Sequence, residues 1–188
     1  MGRGAGPILE VGGRLTPRLA VVLVGLSGSG KSTVAPIAAT LLGAPWCDLD
    51  RRIAERAGVE VVDIFSRYGE ARFRELERAE MSAALEEPPQ VVAAGGGWAA
   101  EPGNLASVKG RAVVIHLSIT PEQAARRLRS ALPRPLLAGR SLVDDLAAQL
   151  ARRQSWYRLA DLEITVDDRD PAAVAAVIAA SARHRAGW

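Results

Sequence analysis

The sequence holds a single cysteine, Cys47, so no disulfide can form within the chain, and a reducing compartment is its natural home. As a lone thiol in a short apolar segment, Cys47 reads as core filler rather than as a nucleophile. Lysine is nearly absent: Lys31 and Lys109 are the only two, and arginine supplies the rest of the 24 basic residues. Against 21 acidic residues the formal net charge is only +3, and the arginines are scattered or gathered near the motifs below, which gives little ground for a nucleic-acid surface. Arginine suits planar recognition of phosphate and carboxylate instead. No apolar run approaches the length of a membrane span, the first nineteen residues lack the apolar centre of a secretory signal, and there is no internal repeat. The expectation is a cytoplasmic protein with no nucleic-acid or membrane partner.

What is present is enough for one domain, since 188 residues at 48% hydrophobic content can bury a substantial core. Residues 1–19, rich in Gly, Arg and Pro, read as a loosely ordered lead-in with at most a short edge segment, and 20–188 as the domain. Its focus is Gly25-Leu26-Ser27-Gly28-Ser29-Gly30-Lys31-Ser32, between the apolar run Ala20 to Val24 and the helix-compatible run Thr33 to Leu42. The spacing fits G-x-x-x-x-G-K-[ST]: a strand, a glycine-rich turn whose N–H groups face an anion, and a helix N-terminus. Gly28, Ser29, Gly30, Lys31, Ser32 and Thr33 are the candidate nucleotide-phosphate ligands, with Lys31 on the outer phosphates and Ser32 on Mg²⁺. The competing reading is a flexible connecting loop.

Four more strands are expected at Pro45 to Leu49, Gln90 to Ala94, Ala112 to Leu117 and Leu162 to Val166. Helical patterns fill the gaps at Arg51 to Ala57, Val62 to Leu85, Pro121 to Ser130, Leu142 to Tyr157 and Pro171 to about Arg183. Alternating strands and helices predict an α/β fold, a five-stranded parallel sheet covered on both faces, with ligands beyond the carboxyl ends of its strands. Pro36 cannot donate to Ser32, which predicts a kink or a tightened first turn.

The residues that follow each strand should therefore meet. Asp48 and Asp50 leave the second strand one residue apart, a spacing that puts both on one side of an extended segment. One can serve the Mg²⁺ shell and the other an acceptor hydroxyl; alternatively Asp50 caps the next helix and Asp48 is a turn residue. Gly95-Gly96-Gly97 after the third strand lets a ligand approach the backbone, or is a tight turn. Periodicity alone leaves Arg74 paired with Glu70 on a solvated surface. Arg134, bracketed by proline and glycine in Arg134-Pro135-Leu136-Leu137-Ala138-Gly139, sits in a stiff loop that either closes over a nucleotide or is idle.

Taken in order, the phosphate loop, Asp48-x-Asp50, Ile64-Phe65 with Gly69-Glu70-x-x-Phe73-Arg74-x-x-Glu77, the triple glycine, Arg134 to Leu137, and Arg153-x-x-x-Tyr157 resemble the shikimate kinase family from about Ala20 to Pro171. The resemblance implies a P-loop, nucleoside monophosphate kinase-like fold, a three-layer αβα sandwich with substrate-binding helices at about 50–80 and a lid at about 129–141. It implies a monomeric enzyme that uses ATP and Mg²⁺ to phosphorylate the 3-hydroxyl of shikimate, a step toward aromatic amino acids. By the same resemblance Lys31, Asp50 and Arg134 are catalytic, and Ser32 and Asp48 face the metal. Phe65, Phe73, Arg74, Gly95, Gly96, Gly97 and Arg153 join Asp50 around the acceptor, with Arg74 and Arg153 on its carboxylate. Arg127 and Arg169, with Pro171, flank adenine.

The chain departs from the family at Ser27 in place of an apolar residue or proline, at Trp98 in place of a smaller one, and at Ser155-Trp156 before Tyr157. Two other readings are a gluconate or other small-metabolite kinase, whose phosphate loop is similar, and a non-catalytic ATP-binding module. Phe73-Arg74 and Arg134 to Leu137 speak against the first; Asp50, which a binding module does not need, speaks against the second.

Overall fold

The computed structural model describes residues 17–131 and 141–188, together with the backbone of 10–11 and 14–15, where Glu10–Val11 pairs antiparallel with Arg14–Leu15. Five strands, β1 (Ala20–Val24), β2 (Trp46–Asp48), β3 (Val91–Ala93), β4 (Ala112–Ser118) and β5 (Leu162–Thr165), form one sheet in the order β2-β3-β1-β4-β5. Every neighbouring pair is parallel, as the alternating pattern predicted. The β1 sequence AVVLV is buried along its whole length, because a central parallel strand is covered on both faces. Val21 and Leu23 point into one apolar layer with Val34, Ala38 and Ile178, while Val22 and Val24 point into the other with Met81, Trp98 and Tyr157.

The helices are α1 (Lys31–Leu42), α2 (Leu49–Ala57), α3 (Val61–Glu86), α4 (Asn104–Ser107), α5 (Pro121–Ala131), α6 (Leu142–Tyr157) and α7 (Pro171–Arg185). α1 packs closely on α7, and Pro36 does not interrupt it. Thr33 and Val34 both donate to Gly30 O, at 3.0 and 2.9 Å, so the first turn is tightened and no break follows. α3 holds a non-helical residue at Gly69 (φ 78, ψ 171), a conformation glycine reaches without a Cβ penalty; a short helix therefore ends there and a long one begins at Glu70.

Two short elements were not expected: the 3₁₀ turn Trp98–Ala100 and α4, both too brief to show a periodicity. One boundary changes the chemistry. α2 starts at Leu49, not Arg51, so Asp48 is its N-cap, accepting from Arg51 N at 3.3 Å, and Asp50 lies in the first helical turn. The extended-segment reason for pairing the two carboxylates does not apply, and Asp50 is not the cap.

The order β2-β3-β1-β4-β5 places the reversal of chain direction across the sheet beside β1. Connections diverge there, leaving a crevice at the carboxyl ends of β1, β3 and β4.

Candidate active site

β1 runs straight into the glycine-rich loop, where Gly25, Gly28 and Gly30 have φ of 144°, 82° and 91°. Gly30 is the N-cap of α1 and brings no side chain to it, and no acidic residue stands in the first turn. The end of the helix therefore presents free N–H groups and a partial positive charge to whatever fills the loop. Lys31, 8% exposed, turns its ammonium back into the loop and donates to Gly25 O at 2.8 Å and Leu26 O at 3.1 Å. Burial pushes its pKa down to about 8, although Asp50 and then Asp48 pull upward. The loop is a cradle that wants an anion.

A cavity of about 440 Å³ opens from the loop, and Ser27, Lys31, Ser32, Asp48, Asp50 and Gly96 line it. Residues from the loop after β1, from α1, β2 and α2, and from the segment after β3 thus share one hollow. Ser32 Oγ donates to Asp48 Oδ2 at 2.5 Å, so a hydroxyl and a carboxylate stand side by side. Among the described residues no group of three His, Cys, Asp or Glu side chains is placed to cage a metal. The donor set fits Mg²⁺, which binds hard oxygens and takes most of its ligands from phosphate and water. Asp50 Oδ1 is buried without a hydrogen-bond partner, and burial, then Asp48, raise its pKa, while Lys31 and Arg74 pull it down.

The triple glycine leaves room for charged side chains. A Cβ on Gly95 would collide with Glu77 Oε1 and come within 2.9 Å of Asp50 Oδ1; one on Gly97 would come within 2.7 Å of Arg74 Nη2. Arg74 is not on a solvated surface. Its side chain is 12% exposed and is held by Glu77 at 2.5 Å, Glu70 at 2.8 Å and Glu101 at 3.3 Å. From the other side, Arg153 Nη1 and Tyr157 Oη both donate to Gly96 O, at 3.1 and 2.8 Å. Tyr157 is itself stacked on His116 of β4, with ring centroids 4.5 Å apart.

Arg127 donates to Val166 O at 2.6 Å and meets Arg169 and Pro171 around an adjoining cavity of about 160 Å³, which shares Gly30, Thr33 and Arg127 with the larger one. The three residues expected around adenine are therefore together. Phe73 is 4% exposed and packs with Ile53 and Ile64 in a small core between α2 and α3, with Phe65 against it at 4.4 Å. Neither phenylalanine lines the 440 Å³ cavity, nor do Arg74 and Arg153, whose guanidinium groups meet the Gly95–Gly97 segment at its edge, Arg74 beside Gly97 and Arg153 on Gly96 O. Arg134 and the centre of the expected lid lie outside the described residues.

The residue that sequence reasoning passed over is Glu77. It closes the Gly69-to-Glu77 motif and stands three residues after Arg74, the spacing that brings helical side chains together. Its side chain is 1% exposed, and burial raises its pKa to about 7 despite the hydrogen bond from Arg74. Glu101 carried no signal in the sequence at all.

An anion loop at the reversal point of a parallel sheet, with carboxylates on the neighbouring strand and helix, defines a phosphotransferase of the P-loop kinase class. The sequence model described as shikimate kinase matches residues 27–183. The chain belongs to the shikimate kinase family. The shikimate kinase of Geobacter metallireducens is 40% identical over 147 residues, covering 78% of this chain and 81% of that one. A solved structure of the Acinetobacter baumannii shikimate kinase in complex with shikimate superposes with a TM-score of 0.79 at 30% identity, over 87% of this chain and 91% of that one. A gluconokinase from Sinorhizobium meliloti reaches a TM-score of 0.59 at 17% identity, over 90% of this chain and 94% of that one, a likeness of fold alone.

Proposed function

We infer that the protein transfers the γ-phosphoryl group of ATP to the 3-hydroxyl of shikimate, giving shikimate 3-phosphate and ADP. The observation that carries this reading is the single cavity shared by Lys31, Asp48 and Asp50, backed at the Gly95–Gly97 segment by Arg74 and Arg153. A phosphate site, a candidate base and two carboxylate-binding guanidinium groups are what such a transfer needs. Gluconate also carries a carboxylate that Arg74 could hold, so the guanidinium groups do not separate the two acceptors; the closer structural likeness to shikimate kinases favours shikimate.

In this reading Gly28 to Thr33 hold the ATP phosphates through backbone N–H groups, with adenine between Arg127 and the Arg169–Pro171 turn. Lys31 leaves the carbonyls of Gly25 and Leu26 for the outer phosphates, trading neutral partners for charged ones. Ser32 and Asp48 would hold Mg²⁺, which supplies charge neutralisation on the phosphates. Asp50, with one buried oxygen lacking a partner, accepts the hydrogen of the attacking hydroxyl and aligns it; its raised pKa makes it a better proton acceptor than a solvated carboxylate. Arg74 and Arg153 fix the acceptor carboxylate, and the guanidinium fork matches its two oxygens. Transfer then depends on positioning and electrostatics, as a loose phosphoryl transition state requires.

The test is a coupled ADP-release assay with shikimate and gluconate in parallel. Turnover with shikimate supports the assignment; turnover with gluconate alone rejects the acceptor; ATP binding without ADP release from either favours a binding module.

A further inference from the structure

Arg74 has more carboxylates around it than its own charge needs. Glu77 takes Nη1 at 2.5 Å, Glu70 takes Nη2 at 2.8 Å, and Glu101 stands 3.3 Å from Nε. Nε and Nη2 lie along one edge of the guanidinium, an edge that a single carboxylate can grip with both oxygens. Here the edge is divided between two side chains from two different segments.

The three glutamates are not equivalent. Glu77 is 1% exposed and has nowhere to go, whereas Glu101 is 31% and Glu70 66% exposed. Glu70 is the first residue after the break at Gly69. Glu101 ends the 3₁₀ turn: its N–H donates to Trp98 O at 3.3 Å and its carbonyl accepts from Asn104 N at 3.2 Å. Asn104 Nδ2 also donates to Trp98 O at 2.9 Å, and Trp98 is fully buried, so the backbone of Glu101 is held in place. The carboxylate it presents is close to Arg74 but poorly aligned, since Arg74 Nε has no hydrogen-bond partner. It is near enough to occupy the edge and loosely enough bound to leave it.

We propose that Glu101, together with Glu70, stands in for the carboxylate of the acceptor: the two hold the Nε–Nη2 edge of Arg74 until an acceptor carboxylate replaces both, and Glu101 thereby sets acceptor affinity. This rests on the reading of Arg74 as the partner of the acceptor carboxylate. With three carboxylates around one guanidinium, a fourth is repelled unless the exposed pair swings out. A monodentate or neutral acceptor gains too little to displace them, so the arrangement selects ligands that bring two carboxylate oxygens to that edge.

Steady-state kinetics of wild type, Glu101→Gln and Glu70→Gln test this, with melting temperatures as the check on folding. Glu101→Gln should lower the KM for shikimate by roughly three- to fivefold, the size expected from losing a partly exposed competing ion pair. kcat and the KM for ATP should move less than that. Glu70→Gln should shift in the same direction and serves as the second probe if Glu101→Gln does not fold. A KM for shikimate that is unchanged or raised in folded Glu101→Gln, with normal wild-type turnover, overturns the stand-in role alone. Absence of wild-type turnover with shikimate overturns the functional reading itself.

Discussion

One oxygen of Glu77 grips Arg74 and the other is left over. Oε2 accepts from Arg74 Nη1 at 2.5 Å, while Oε1 is buried without a partner in the space that the missing Cβ of Gly95 leaves open. The pair thus joins the long part of α3 to the turn after β3, and any ligand held by Arg74 is positioned through a carboxylate that water does not reach.

That burial has a consequence for pH. The pKa of Glu77 is raised from 4.5 to about 7, so between those values the folded protein keeps a proton that the unfolded chain has lost. The stability this contributes is fully present below about 4.5 and is lost as pH rises through about 7. Glu77→Gln removes the titration. The stability difference between mutant and wild type, measured by urea unfolding at about pH 5 and pH 8, should shift in favour of the mutant at the higher pH by at most about 3 kcal/mol. A difference independent of pH contradicts the assignment.

Arg74→Lys keeps the charge and loses the planar fork. The KM for shikimate should rise by about 2 kcal/mol or more in equivalent free energy, with the KM for ATP nearly unmoved. Equal weakening of both substrates would place Arg74 outside the acceptor site.

Lys31→Ala and Asp50→Asn should separate two roles in one cavity. Removing Lys31 should cost at least about 10²-fold in kcat, because its charge is needed where the phosphoryl group moves. Asp50→Asn should lower kcat by about 10²- to 10⁴-fold and leave ATP affinity near wild type in a direct binding measurement. Loss of ATP binding in Asp50→Asn would show that the carboxylate serves the nucleotide rather than the acceptor.

Tyr157→Phe removes one of the two donors on Gly96 O and leaves Arg153 on the other lone pair. The cost to stability should be about 0.5 to 1.5 kcal/mol, and the KM for shikimate should rise more than the KM for ATP. A change confined to ATP would disconnect Tyr157 from the acceptor side.

The sequence reveals the loop from Gly25 to Ser32 and the five strands because each is written in consecutive residues: a fixed spacing of glycines, or a run of Val, Leu and Ala between turns. Asp48 and Asp50 line one cavity, but not by sharing one side of an extended segment, since α2 begins two residues earlier than the apolar pattern suggests. Arg74 was legible only through the family resemblance; helical spacing gave it Glu70 on a wet surface, and the burial that makes it matter comes from Gly97 and Glu101, far away in the chain. Glu77 was visible as part of a motif but its task is a tertiary fact, the fit of its carboxylate over a residue without a side chain. Phe73 stands among the acceptor residues through the family resemblance alone; its packing with Ile53 and Ile64 between α2 and α3 is a tertiary fact that local pattern does not show.

In the proposed function, residues from four separate stretches converge on one acceptor molecule. A crystal structure of the protein with shikimate, ADP and Mg²⁺ tests it most directly. The shikimate carboxylate is expected on Arg74 and Arg153 and its 3-hydroxyl beside Asp50, facing the phosphate loop. Shikimate bound elsewhere, or with its carboxylate away from both arginines, would contradict it.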